Sequence, residues 1–283
     1  MRIDAHQHYW QLGRSDYAWM QPQHAAIRRD FMPPDLAPLL TAAGIHGTIL
    51  VQADATARET DFLLEIAAAT PSVLGVVGWI DFTAADAVAE VERRAGQAKL
   101  RGLRPMLEFI DDPDWILQPA FDPVFRAMIR CGLSFDALVH PQHLPALLTL
   151  TQRYPALLMV IDHGAKPKLA AWKNDVAARK AWERDMRRLA QHPQVCCKLS
   201  GLLTEVRLDW QMGDLLPVIQ IILDIFGPDR LIWGSDWPVM TLAGTYAQWV
   251  QLSDLAIASL TTNEKDQVFF KNVVNFYRLT LDK

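Results

Sequence analysis

Four residues carry the strongest chemical signal in the chain. His6 and His8 form a His-x-His pair, His163 closes the apolar run Leu157–Ile161 after Asp162, and Asp236 closes the run Leu231–Trp233 after Gly234 and Ser235. In an extended segment, residues i and i+2 share a face. Two imidazoles placed so either bind one metal ion or grip one substrate oxygen. A lone histidine behind an apolar run is often a packed core residue. His163, however, precedes Gly164 and is followed by Ala165-Lys166-Pro167, a setting that favours a functional site. Asp236 could cap a helix, but the intervening Trp237-Pro238 disfavours that, and a catalytic carboxylate is the better reading. Period two also puts Arg104, Met106 and Glu108 on one face, with Arg104 and Glu108 either exposed to a ligand or paired with each other. The same rule aligns Cys196, Lys198 and Ser200. A lysine pointing into an apolar interior needs an acidic partner, and Asp4, on the face of His6 and His8, is a candidate.

These residues need elements that bring them together. Eight β-rich segments recur: Arg2–His8, Gly47–Gln52, Val73–Ile80, Gly102–Glu108, Leu133–Val139, Leu157–His163, Val195–Ser200 and Leu231–Asp236. Helix-compatible stretches separate them, and a last helix is expected from about Asn263 to Tyr277 with its N-cap near Thr262. Regular β-then-α alternation implies parallel strands joined by right-handed crossovers. Eight units favour a closed α/β barrel, (β/α)8, over an open sheet, and no Gly-x-Gly-x-x-Gly follows the first strand. Every candidate then lies at or near the C-terminal end of a strand, where barrel enzymes place their active sites. If His163 faces inward, Met159 and Ile161 fill the barrel beneath it. The longer loops Trp10–Pro34 and Gly164–Asn174, with Asp111–Trp115, would form the rim.

Composition removes other classes. The 283 residues are 51% apolar, enough for one large core, and I-to-V-rich runs stay short of the ~20 residues of a membrane span. With 28 Lys and Arg against 32 Asp and Glu, the net charge is −4, a poor match for nucleic acid. Three cysteines, two of them adjacent, suggest no disulfide framework. Met1 leads directly into Ile3-Asp4-Ala5-His6 with no apolar signal core, so a cytoplasmic protein of one domain over residues 1–283 is expected.

With these residues placed, the chain resembles the amidohydrolase superfamily, in its amidohydrolase-2 branch of sugar-lactone and related hydrolases. The resemblance rests on Ile3–Trp10, Arg101–Leu107, Ile161–Pro167, Cys197–Leu202, Trp233–Pro238 and Asn272–Tyr277, in order and across nearly the whole chain. It implies a barrel with His6, His8, His163 and Asp236 as catalytic residues, and as ligands wherever one divalent metal such as Zn²⁺ is bound. Glu108 and His140 are further ligand candidates. A bridging carboxylated lysine is absent from the fourth strand, which argues against two metals. Relatives tend to carry Gln where Glu108 stands.

The implied reaction is hydrolysis of a cyclic ester, an aldonolactone such as fuconolactone or rhamnonolactone. Asp236 would act as base, with the histidines or their metal stabilising the oxyanion. Arg104, Glu108, Lys166 and Trp237 are the candidate substrate-binding residues, with Trp10 and Trp115 at the rim. A small-molecule partner is expected, with homo-oligomerisation left open. The alternatives are a metal-dependent decarboxylase or hydrolase of an aromatic or dicarboxylic acid, and a non-catalytic barrel that binds a sugar acid.

Overall fold

The aliphatic runs become eight short strands: β1 (Ile3–Gln7), β2 (Gly47–Val51), β3 (Val73–Gly78), β4 (Leu100–Leu103), β5 (Ser134–Ala137), β6 (Met159–Ile161), β7 (Val195–Leu199) and β8 (Leu231–Trp233). The structure, a computed structural model, describes residues 1–15, 17–172 and 174–281. Each strand pairs in parallel with the next, in sequence order. Beyond the strand ends, β1 and β8 meet through two backbone bonds, Asp236 N to the His6 carbonyl (2.7 Å) and His8 N to the Trp237 carbonyl (2.8 Å). These bonds close the ring into a (β/α)8 barrel.

Eight helices fill the intervals: α1 (Pro33–Ala43), α2 (Ala57–Ala69), α3 (Ala87–Ala95), α4 (Asp122–Cys131), α5 (Leu144–Arg153), α6 (Val176–Leu189), α7 (Met212–Phe226) and α8 (Tyr246–Ala256). Three of them start at side-chain caps that satisfy free backbone N–H groups. Thr56 accepts from Glu59 N, Asp175 from Ala178 N and Thr245 from Gln248 N. The chain ends in α9 (Thr262–Asp266), a π-helical turn (Gln267–Lys271) and α10 (Asn272–Phe276). The cap of this last run is Thr261, one residue before the expected Thr262, and Glu264 reaches back to complete a capping box.

Two apolar layers result. The larger lies between the sheet and the helices. The smaller fills the barrel, where Ile3, Ile49, Val160 and Ile232 meet Val273 and Phe276 from α10. The C-terminal helix therefore plugs one end of the barrel, opposite the strand ends that carry the candidate residues. No helix among the described residues is long and apolar enough to cross a membrane.

Three expectations need correction. β4 starts two residues early and stops at Leu103, because Pro105 has no N–H with which to extend the ladder. Leu107–Phe109 is a 3-10 turn instead. β6 also stops early, at Ile161, and Met159 points outward, where the Thr151 hydroxyl of α5 meets its sulfur at 3.7 Å. Val160, not Met159 and Ile161, packs inside the barrel.

Candidate active site

The four chemical residues reach one place by local irregularities rather than by unbroken alternation. The β1–β2 register shifts between Asp4 and Gln7. Asp4 turns outward there. Its Oδ1 accepts from the backbone N–H of His6 (3.1 Å) and Ser235 (2.8 Å), and its Oδ2 accepts from the Tyr246 hydroxyl of α8 (2.9 Å). Asp4 is therefore a strand tie and not the partner of Lys198. After β6, His163, Gly164, Ala165 and Lys166 all take left-handed backbone angles, with φ of 54°, 59°, 64° and 45°. Asp236 does the same at 63°. Such conformations cost on the order of 1–3 kcal/mol per non-glycine residue and persist where surroundings over-determine them. Here they aim two side chains into the barrel mouth.

Two glycines make room for the histidines. A Cβ at Gly201, itself at φ 62°, would lie 2.3 Å from His163 Nδ1. A Cβ at Gly234 would lie 2.8 Å from His6 Cβ.

Asp236 is the centre of the group. Its Oδ1 lies 3.2 Å from His8 Nε2, 3.7 Å from His163 Nε2 and 3.8 Å from His6 Nε2. The His6 and His163 rings are 4.4 Å apart. One donor atom each from His6, His163 and Asp236 falls within 4.8 Å of the others. Burial disfavours the charged carboxylate of Asp236. The His163 imidazole and the His8 hydrogen bond outweigh that, holding it well below the usual carboxylate range. Burial also drives His6 and His163 below their ordinary values, toward neutral rings. Both nitrogens of His8 face oxygen, the Val51 carbonyl at 2.8 Å from Nδ1 and Asp236 at Nε2. A neutral ring can donate to only one of them.

Beneath this group lies a buried charge network that the sequence did not disclose. Lys198 Nζ is 2.7 Å from Asp136, 3.0 Å from Asp162 and 3.2 Å from His6 Nδ1. Burial raises Asp136, whereas the Lys198 ammonium overcomes burial and pulls Asp162 below the carboxylate range. Arg104 bonds Gln52, approaches Asp162 at 3.4 Å and faces His6 Nε2 at 3.4 Å. It is not paired with Glu108. The signal for Asp162 lay beside His163 in the motif Ile161–Pro167. That for Asp136 was an isolated acid inside an apolar strand.

A cavity of about 430 Å³ opens above, lined by His8, His163, Asp236 and Arg104 at its base. His6 is fully buried and lies just below it. The wall includes Glu108, whose carboxylate is 2.7 Å from Lys166 and 3.9 Å from His140. Burial opposes the charge on Lys166, but Glu108 and Glu205 outweigh it and raise its pKa. Glu108 and His140 stand apart from the His6–His163–Asp236 group, which removes their role as ligands. Trp237 does not line the cavity; its ring packs against Tyr9 and Phe31, which removes it as a substrate contact. Trp10 is equally buried, whereas Trp19 and His24 from the same loop do line the cavity. Glu205, raised to about 7 by burial, is a further wall residue. It follows the stretch Cys197–Leu202 by three residues, and nothing in the sequence marks it as facing the cavity.

Barrel, histidine pairing and terminal aspartate together define a hydrolase of the amidohydrolase class, and the family profile bears this out. The amidohydrolase family matches residues 3–279, so the chain belongs to that family. It is similar to an L-fucono-1,5-lactonase of Burkholderia ambifaria, 44% identical over 282 residues, covering 98% of this chain and 96% of that protein. Two crystal structures of an amidohydrolase from Burkholderia multivorans, one with HEPES bound and one with zinc, superpose with TM-scores of 0.94 and 0.92. Each is 35% identical and covers 99% of this chain and 100% of that one.

Proposed function

We propose that this protein hydrolyses a six-carbon aldonolactone, of the kind represented by L-fucono-1,5-lactone, to the open hydroxy acid. The observation that carries the reading is an ionised Asp236 at the base of a cavity whose wall offers the Lys166–Glu108 pair. A base at that position takes a proton from water as the water oxygen bonds to the lactone carbonyl carbon. The ring C–O bond then breaks, and Asp236 returns the proton to the departing ring oxygen. His8 and His163 face the same space and are placed to stabilise the oxyanion between those steps. Arg104, Lys166 and Glu108 supply donors and an acceptor for sugar hydroxyls and fix the ring.

The donor set also fits one divalent ion such as Zn²⁺. Burial drives the His6 and His163 rings toward neutral, so each keeps a ring nitrogen able to act as a donor beside the Asp236 carboxylate. His6, His163 and Asp236 would hold the ion, with His8 beside it. When bound, such an ion polarises the carbonyl and lowers the pKa of a bound water toward about 7. The Arg104 guanidinium near His6 Nε2 competes for that position, so activity is expected to depend only partly on metal. Cys131, Cys196 and Cys197 are all free thiols, which supports a reducing, cytoplasmic setting.

A panel of aldonolactones followed with a pH indicator, with and without chelator, tests this. At least one lactone should be opened well above its spontaneous rate, and metal analysis should find no more than one ion per chain. If no lactone responds, the protein is a decarboxylase or a sugar-acid binder and the proposal fails.

A further inference from the structure

Beside the catalytic cavity lies a second and larger chamber, of about 550 Å³, on the same face of the barrel. The two share Trp19, Met106 and Phe109 as a partition. Its lining includes Ile80 and Phe82, both buried, with Trp79 after β3 and Trp115 after β4. The wall is mostly apolar, and several of its few polar atoms are engaged within the protein. Trp19 Nε1 donates to the Ala53 carbonyl at 2.7 Å, Asp54 accepts from Ser15, and Asp81 Oδ1 accepts from the Thr83 N–H and hydroxyl at 2.8 and 2.6 Å. Phe109, on the partition, is 55% exposed, a large ring left in water at the opening between the two spaces.

We infer that this chamber is a binding site for a hydrocarbon substituent on the lactone held in the catalytic cavity, so that alkyl-substituted δ-lactones are a second substrate class. The inference rests on the lactonase reading. A sugar ring would need hydrogen-bonding partners on every side, and most of this wall is apolar. An alkyl chain needs only an apolar surface from which it displaces water. The shared side chains place the chamber directly beside the cavity that holds the reacting ring, and residues that follow the strand ends line both spaces.

Burying one methylene is worth roughly three- to fourfold in affinity. In the series δ-hexalactone, δ-decalactone and δ-dodecalactone, which differ only in side-chain length, kcat/KM should rise, by at least about tenfold from the first to the second on that scale. The matching δ-lactams, which resist hydrolysis, should bind with affinities that rise in the same order by calorimetry. Ala55 lines the chamber but not the catalytic cavity, and its exposure leaves room for a larger side chain without disturbing the core. Ala55→Trp should therefore collapse the decalactone-to-hexalactone ratio, and the corresponding lactam ratio, toward one. Lactam affinities that stay flat or fall with chain length overturn the inference, whatever the turnover. So does a ratio that Ala55→Trp leaves unchanged. Rising lactam affinity in a protein that opens no lactone would keep the chamber and remove the lactonase reading. Aldonolactone turnover with a flat alkyl series would do the reverse.

Discussion

Asp236 has to stay charged in a place that burial makes hostile to charge. The His8 hydrogen bond and the surrounding imidazoles secure this, and the consequence is specific. Asp236→Asn keeps shape and most hydrogen bonding but removes the basicity. Its kcat on the best lactone should fall by at least ~100-fold while substrate binding changes much less, because a general base acts mainly in the transition state. Steady-state kinetics of the folded variant decide this; a near-normal kcat would transfer the role to another group. At this scale the sequence marked the four central residues, His6 and His8 by their His-x-His spacing, His163 and Asp236 by their place after apolar runs. It did not disclose Asp162, Asp136 or Glu205. Their chemistry depends on neighbours brought from other strands, such as Lys198 against Asp136 and Asp162. Asp4 was misplaced for a related reason: the irregularity in β1 reverses its face, and period two carries no mark of it.

The elements that deliver these side chains are tied as tightly as the side chains themselves. Gly201, behind β7, packs its α-carbon against His163. Gly201→Ala should cost about 1–2 kcal/mol for a left-handed non-glycine residue and displace the His163 ring, lowering kcat at least about tenfold if that ring stabilises the oxyanion. Melting curves and kinetics on the same preparation would separate the two effects. Glu59, in the first turn of α2, ties the loop after β1 to the loop after β2, accepting from the Tyr17 hydroxyl and the Ala53 N–H, both at 3.2 Å. Burial raises its pKa to about 7. An acid with a raised folded pKa binds its proton more tightly when folded, so its contribution falls as pH climbs from the unfolded value toward 7. His6 and His163 are shifted the opposite way for bases, so they lose stability as pH falls through 6.5, and the total profile mixes both trends. The comparison that isolates Glu59 is Glu59→Gln against the parent. Its Tm relative to the parent should rise by about 2–5 °C between pH 5.5 and pH 8. An offset that is constant with pH would mean that Glu59 does not titrate in this window. The eight strands and the main helices were legible because apolar period and turn residues agree along the chain. Strand ends were not, because Pro105 and the left-handed turn at His163 stop β4 and β6 before the apolar pattern does.

For the molecule as a whole, the alternation of elements specified a barrel, but the plug was hidden. Sequence marks Asn272–Phe276 as one more helix and says nothing of which surface it covers. The structure puts its apolar face under the barrel, and the Tyr277 hydroxyl bonds Asp136, which also holds Lys198. Removing residues 272–283 should therefore expose the interior at Ile3, Ile49 and Ile232 and leave an insoluble or unfolded chain, readable by solubility and circular dichroism. Tyr277→Phe should be milder, about 1–2 kcal/mol by urea denaturation, since it removes one hydrogen bond to a carboxylate and keeps the ring. A truncated chain that melts cooperatively at the parent temperature would show that the plug is dispensable.

The seam where β1 meets β8 also sets an order in time. His6 and His8 belong to the first strand to leave the ribosome and Asp236 to the segment after the last, and the bonds that close the barrel run between these same residues. Until that final segment emerges, the early histidines have neither their carboxylate nor their neighbouring strand. Closure of the barrel at this seam and the arrival of the base beside the histidines are therefore one event.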